Sequence, residues 1–97
     1  MNDEKINEFM LKIGNKVARF RDISFYGYKE PVLSFQVADF IDIKDIIGIC
    51  THVSHLLEES EYNYLKTGDT YIQNKGAKTY VRVYITRKKR EPILCVW

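Results

Sequence analysis

The sequence predicts an α+β fold in which two helices pack on one face of an antiparallel sheet. Three observations lead to this prediction: two segments repeat apolar residues at helical spacing, other segments alternate apolar and polar residues, and together they follow the order α-β-β-α-(β)-β-β. The 97 residues include no stretch with the composition of a linker, so we expect one α+β domain spanning residues 1–97.

The first helix is predicted for residues 2–13. Its apolar residues follow the spacing that places side chains on one helical face, and they are Ile6, Phe9, Met10 and Ile13. Asn2 or Asp3 can cap the start, whereas Gly14 and Asn15 favour the left-handed backbone that commonly ends a helix. We therefore expect the helix to stop at Gly14.

A β-hairpin is predicted next. Residues 23–26 alternate as a strand does, before Gly27 and the turn sequence at residues 29–31. Residues 33–37 alternate again, which predicts that Leu33, Phe35 and Val37 face inward and that Ser34 and Gln36 face outward. The two runs are expected to pair with each other.

The second helix is predicted from about Ile43 to Glu59. Asp42 and Asp45 have the spacing of a cap-like start. The predicted apolar face consists of Ile46, Ile49, Cys50, Val53 and Leu57. Gly48 lies inside this helix, where the absence of a side chain would allow a strand to approach closely.

The last third of the chain is predicted to be rich in strands. Residues 62–72 indicate either a short hairpin around residues 66–69 or an irregular loop with one β segment. Residues 74–76 predict a turn, and residues 80–86 predict a strand with Val81, Val83 and Ile85 on one face. The apolar run Ile93–Trp97 predicts a final strand.

Composition excludes several classes of protein. A hydrophobic fraction of 45% with a net charge of only +2 is not that of a disordered chain. The longest apolar runs are far shorter than the roughly 20 residues of a bilayer-spanning helix. Cys50 and Cys95 lack the dense spacing of a disulfide scaffold, so we expect a soluble protein in the reducing cytoplasm and no membrane association.

Catalytic and metal-binding patterns are weak. Cys50, His52 and His55 lie within six residues, but helical geometry points them in different directions and argues against a zinc site. The glycines form no phosphate-binding loop, and the carboxylates cluster at helix ends. We therefore expect a protein that is not an enzyme and that uses no metal or other cofactor.

Charge is distributed unevenly along the chain. Residues 73–97 hold seven basic side chains and one acidic side chain, a net of +6, so the first 72 residues carry −4 of the total of +2. Tyr80, Arg82 and Tyr84 should project from the face opposite the buried side of their strand, and a basic tip at residues 87–90 follows them. This pattern favours either a polyanion-binding surface or simply a solvated tip that discourages aggregation.

The chain also has more large aromatic side chains than one buried face can hold, so some of them should be exposed anchors for a partner. The alternative is that these tyrosines cover sheet edges with their hydroxyls in water. The predicted binding residues are Tyr62, Tyr64, Tyr80, Arg82, Tyr84, Arg87, Lys88, Lys89 and Arg90.

Two functional hypotheses follow. The first is a non-catalytic binding protein that docks on a host protein or nucleoprotein through an aromatic and charged sheet surface, as an inhibitory accessory factor of a virus or mobile element would. The alternative is a nucleic-acid-binding domain that uses the basic C-terminal hairpin. The apolar run Ile93–Trp97 further predicts either a homodimer that covers it or a central place in the sheet.

Overall fold

A computed structural model describes residues 3–88. Its elements are α1 (Asp3–Arg21), β1 (Ser24–Lys29), β2 (Val32–Val37), α2 (Ile43–Glu58), β3 (Leu65–Lys75) and β4 (Lys78–Arg87). The strands form one antiparallel sheet in the spatial order β1-β2-β4-β3, and the two helices share a core with one of its faces. The predicted α+β class and the order α-β-β-α-β-β are confirmed.

Helix α1 is longer than the sequence predicts, because Gly14 and Asn15 do not end it. The apolar stripe continues beyond Ile13 to Val17 and Ala18, and burial of these two side chains in the core stabilises the additional helical turns. The chain leaves the helix only after Arg21, at Asp22, whose φ of 58° is left-handed. The predicted cap residue Asn2 lies outside the described residues.

Strands β1 and β2 form the predicted hairpin. Phe25 is opposite Phe35 and Tyr28 is opposite Leu33, and both Leu33 and Phe35 are fully buried. Gly27 does not end the first strand; its φ of +144° accompanies a bulge after Phe25, and pairing continues to Lys29.

Helix α2 agrees with its predicted bounds and buries Ile49, Val53 and Leu57 against the sheet. Asp42 is its N-cap residue by backbone conformation, although its side chain makes no capping hydrogen bond. The prediction that Gly48 faces a strand is wrong. A Cβ at this position would lie 2.5 Å from Nη1 of Arg21, so the glycine accommodates a side chain of α1.

Residues 65–75 form one long strand with a bulge between Thr67 and Thr70. The sequence predicts either a short hairpin or an irregular loop in this region. Two side-chain contacts join the bulged region to α2: Ser54 Oγ lies 2.9 Å from Thr67 Oγ1, and Cys50 Sγ lies 3.1 Å from Thr70 Oγ1. A short hairpin at residues 66–69 is therefore excluded, because both sides of the bulge pair with β4.

Of the turn predicted at residues 74–76, only Gly76 lies in the turn, in the left-handed region at φ 62°, because Asn74 and Lys75 still pair with β4. Strand β4 buries Val81, Val83 and Ile85, as its alternation predicts. The predicted final strand at residues 93–97 lies outside the described residues, and so do Cys95 and the homodimer contact expected of that segment.

The core lies between the sheet and the helices. Its fully buried side chains come from both layers and are Met10, Val17, Leu33, Phe35, Ile49, Val53, Leu57, Val81 and Val83. Neither α1 nor α2 has the combination of length and hydropathy that a bilayer-spanning helix needs.

Candidate functional site

The face of the sheet that points away from the helices is the candidate site. Strand register determines its members, because every second residue of β4 points away from the core. We call this surface the outer face; its central side chains are Tyr26 and Lys29 of β1, Val32, Ser34 and Gln36 of β2, Tyr71, Gln73 and Lys75 of β3, and Lys78, Tyr80, Arg82 and Tyr84 of β4. Neither of the two described helices covers it.

Two pairs of tyrosines organise the outer face. The rings of Tyr26 and Tyr80 have centroids 4.8 Å apart, and those of Tyr71 and Tyr84 meet edge to face at 5.4 Å. Tyr80 is only 8% exposed, whereas Tyr26 is 66% exposed and Tyr71 is 52% exposed. In each pair a more buried ring of β4 therefore supports a ring that is open to solvent, a contact worth about 0.5–1.5 kcal/mol beyond area burial.

A shallow cleft of about 450 Å³ crosses the outer face beside Tyr26 and Tyr80. Its lining includes three cations, Lys29, Lys75 and Arg82, and no carboxylate. Arg82 Nη1 donates to Gln73 Oε1 at 3.5 Å, a long hydrogen bond that leaves most of the guanidinium donors available. None of the three cations forms an ion pair with another group in residues 3–88.

The strands carry a net positive charge, whereas the helices and loops of the described chain carry a net negative charge. The four strands together carry six basic side chains, namely Lys29, Lys66, Lys75, Lys78, Arg82 and Arg87, and one acidic side chain, Asp69. The helices and loops of the described chain hold most of the acidic side chains. The positive charge is thus concentrated on the sheet.

Neither described residue of the basic tip lines the cleft of the outer face. Arg87 is paired with the buried Leu65, and its guanidinium lies 5.9 Å from the ring centroid of Tyr64. Lys88 Nζ lies 2.6 Å from Oε2 of Glu58 on α2. Lys88 is therefore held against α2, whereas Arg87 lies at the sheet edge, where it lines a groove with Tyr71 and Tyr84. Lys89 and Arg90 lie outside the described residues.

Tyr62 and Tyr64 lie apart from the outer face as well. The ring of Tyr62 contacts that of Phe9 on α1 at 4.8 Å, and partial burial followed by the nearby Glu61 carboxylate raises the pKa of its hydroxyl. Tyr64 is more exposed and contacts Tyr62 at 6.3 Å. The predicted site residues that the structure brings together are thus Tyr80, Arg82 and Tyr84.

The three potential metal ligands on α2 point to three different places. Cys50 contacts Thr70, His52 meets the ring of Phe20 edge to face at 5.1 Å, and His55 Nε2 lies 3.1 Å from Oε2 of Glu59. Burial and the charges of Arg21 and then Lys16 lower the pKa of His52. No cluster of potential metal ligands occurs within residues 3–88.

The sequence analysis missed Tyr26, Tyr71, Lys29 and Lys75 as members of the site. Tyr26 and Tyr71 belong to the aromatic surplus, but the bulges next to them obscure which face they occupy. The helix side also carries exposed apolar residues that no pattern singled out; these include Phe20, Phe40, Ile43 and Ile47.

Comparison of the chain with protein-family models, with curated proteins and with solved structures found no match.

Proposed function

We propose that this chain is a non-catalytic binding protein that docks on a protein or nucleoprotein partner through its outer face. The observation that carries the proposal is the pair of exposed, supported rings of Tyr26 and Tyr71, with the cations of the cleft beside Tyr26 and no carboxylate in its lining. The hydroxyl of Tyr71 donates a long hydrogen bond of 3.4 Å to Oδ2 of Asp69, outside that cleft. Tyrosine and arginine are the residue types that dominate binding energy at interfaces, because they offer large contact area at low entropic cost.

The partner surface should be acidic. The concentration of cations on the strands gives the outer face a positive field, and complementary charge accelerates and orients association. The more acidic helices and loops would be repelled by the same partner. This asymmetry selects one docking orientation.

The lining of the cleft supports binding rather than chemistry. The lining includes Ser34, lysines and tyrosines, but no histidine or carboxylate that would activate a hydroxyl or an amine as a nucleophile. An inhibitory role as an accessory factor of a virus or mobile element stays a prediction, as does a cytoplasmic location.

A capture experiment tests the proposal. Immobilised wild-type protein is compared with the variant Tyr26→Ala/Tyr71→Ala and with the control Phe20→Ala/Phe40→Ala, which removes two exposed rings from the helix side. Cell extract is passed over each, and retained proteins and nucleic acids are quantified. We expect the control to retain the wild-type set and the outer-face variant to lose it.

Two results would contradict the proposal. One is an outer-face variant that is folded by circular dichroism and retains the same molecules as the wild type. The other is a wild-type protein that retains nothing above the blank resin.

A further inference from the structure

The two exposed tyrosines are spaced across the whole sheet. Tyr26 is on edge strand β1 and Tyr71 is on edge strand β3, so three strand spacings, or about 14 Å, separate their backbones. Each ring is already held by a neighbouring tyrosine, Tyr80 or Tyr84, and loses little rotational freedom when a planar group stacks on it. The outer face therefore offers two prepared stacking positions.

Cations lie between and beside these rings. Arg82 is directly opposite Tyr71 in the register, and Lys29 and Lys75 line the cleft next to Tyr26. A ligand that alternates planar groups with negative charges would contact both kinds of side chain at once. A nucleic acid strand has this alternation, with a base and a phosphate in each nucleotide.

The lysines of the outer face favour a nucleic acid over a protein surface. Lysine is depleted in the centres of protein interfaces, yet Lys29, Lys75 and Lys78 all point from this face. The exposed phenylalanine side chains that protein interfaces favour lie on the helix side instead, as Phe20 and Phe40 do.

The ligand strand should be single. In a duplex the faces of the bases are stacked on one another, so Tyr26 and Tyr71 would have no ring to contact. Unpaired bases present both faces, and stacking on an aromatic side chain tolerates any sequence.

We infer that the outer face binds single-stranded nucleic acid, with bases stacked on Tyr26 and Tyr71 and phosphates against Lys29, Lys75 and Arg82. This inference rests on the proposed function, because it names the chemistry of the partner at the same face. If the partner is a nucleoprotein, the outer face contacts its exposed single-stranded nucleic acid.

Fluorescence anisotropy tests the inference directly. Labelled single-stranded DNA and RNA of mixed sequence and about 12 nucleotides, within the range of known single-strand sites, are compared with a duplex of the same sequence at several salt concentrations. We expect the single strands to bind at least about tenfold more tightly than the duplex. Three phosphate contacts predict a slope of about −2 for the logarithm of affinity against the logarithm of salt.

Variants separate stacking from charge. Tyr26→Ala or Tyr71→Ala should lower single-strand affinity by about 5- to 150-fold and leave the salt slope unchanged. Lys29→Gln/Lys75→Gln should reduce the slope to about −0.7, because one phosphate contact would remain. The matched control Lys12→Gln/Lys44→Gln removes two exposed lysines from the helices and should change neither quantity.

The failure of this inference can be told from the failure of the proposed function. Absence of single-strand binding at low salt, or equal affinity for the duplex, would overturn the inference. If the capture experiment still shows nuclease-resistant protein partners that depend on Tyr26 and Tyr71, the outer face binds an acidic protein and the proposed function stands. If the outer-face variant Tyr26→Ala/Tyr71→Ala retains both its nucleic acid and its protein partners, the inference and the proposed function are both overturned.

Discussion

The ring of Phe25 lies against the backbone of Gly14. A Cβ atom on Gly14 would be 2.3 Å from Cε1 and from Cζ of that ring, closer than nonbonded carbon atoms can approach. The missing side chain therefore allows β1 to approach α1, and Phe25 in turn contacts the buried Phe35 with ring centroids 5.5 Å apart. This contact joins the first helix to the hairpin that follows it.

Replacing Gly14 with Ala should destabilise the protein by about 1–3 kcal/mol, because the aromatic ring must move within a packed region. Intrinsic helix propensity alone predicts the opposite, a gain of about 1 kcal/mol. Gly48→Ala is the matched control, since its Cβ would meet only the end of the flexible Arg21 side chain, and it should change stability by less than about 1 kcal/mol. Urea denaturation followed by circular dichroism measures both, and a Gly14→Ala protein as stable as the wild type would contradict the prediction.

Thr79→Val should cost about 0.5–1.5 kcal/mol, because it keeps the shape of the side chain and removes a buried hydroxyl. Thr79 Oγ1 lies 2.9 Å from Asp39 Oδ1 and 2.9 Å from Asn74 Oδ1, so its single proton has two possible acceptors. These contacts join the loop before α2 to the end of β3. Thr86→Val, at an exposed position of the same strand, is the control and should be within about 0.5 kcal/mol of the wild type. Equal thermal midpoints for the two variants would show that the hydrogen bond donated by this hydroxyl contributes nothing.

His52 should make stability depend on pH. Its pKa in the folded protein is below the ordinary value of 6.5, first because of burial and then because of Arg21 and Lys16, so the unfolded chain binds a proton more readily. The free energy of unfolding should therefore fall as the pH drops below about 6.5 and level off below the folded pKa.

Urea titrations of wild-type protein, His52→Gln and His55→Gln at about pH 7.5 and about pH 5.5 isolate this contribution. His55→Gln retains the partly buried imidazole of His52 and removes only the smallest of the four contributions that lower its pKa, so it should lose stability on acidification much as the wild type does. His52→Gln should lose less. An equal loss in His52→Gln and the wild type would refute the assignment.

Lys88→Ala should lower stability by less than about 1 kcal/mol, because both Lys88 and its partner Glu58 are exposed and solvent weakens their attraction. The affinity of Lys88→Ala for single-stranded DNA should stay close to that of the wild type, because Lys88 is directed toward α2. The affinity of Lys29→Gln/Lys75→Gln should be clearly lower. A loss of affinity as large as that of the outer-face lysine variant would show that the basic tip belongs to the binding surface.

Strong local patterns predicted the elements that the structure contains. The alternation of Val81, Val83 and Ile85 identified β4 and its buried side, and the apolar stripe of α2 identified that helix almost to its bounds. These predictions succeed because burial of one face imposes a period that is visible within a single segment.

The errors occurred where a local signal has two meanings. Gly14 was interpreted as a helix end because of its conformational freedom, but it is needed for its small size against Phe25. Gly68 and Asp69 resemble a turn, but they form a bulge in a strand whose two halves both pair with β4. In each case the deciding neighbour is distant in sequence.

The sequence by itself determined the fold class, the inward face of each strongly patterned segment and the projection of Tyr80, Arg82 and Tyr84 from the opposite face. The tertiary structure decided which residues accompany them. Tyr26 and Tyr71 join this group because the strand order β1-β2-β4-β3 and the register across it bring distant segments together. Alternation within one strand reports only which face a residue occupies, whereas its neighbours on that face depend on pairing between strands, which the free energy of the whole core determines.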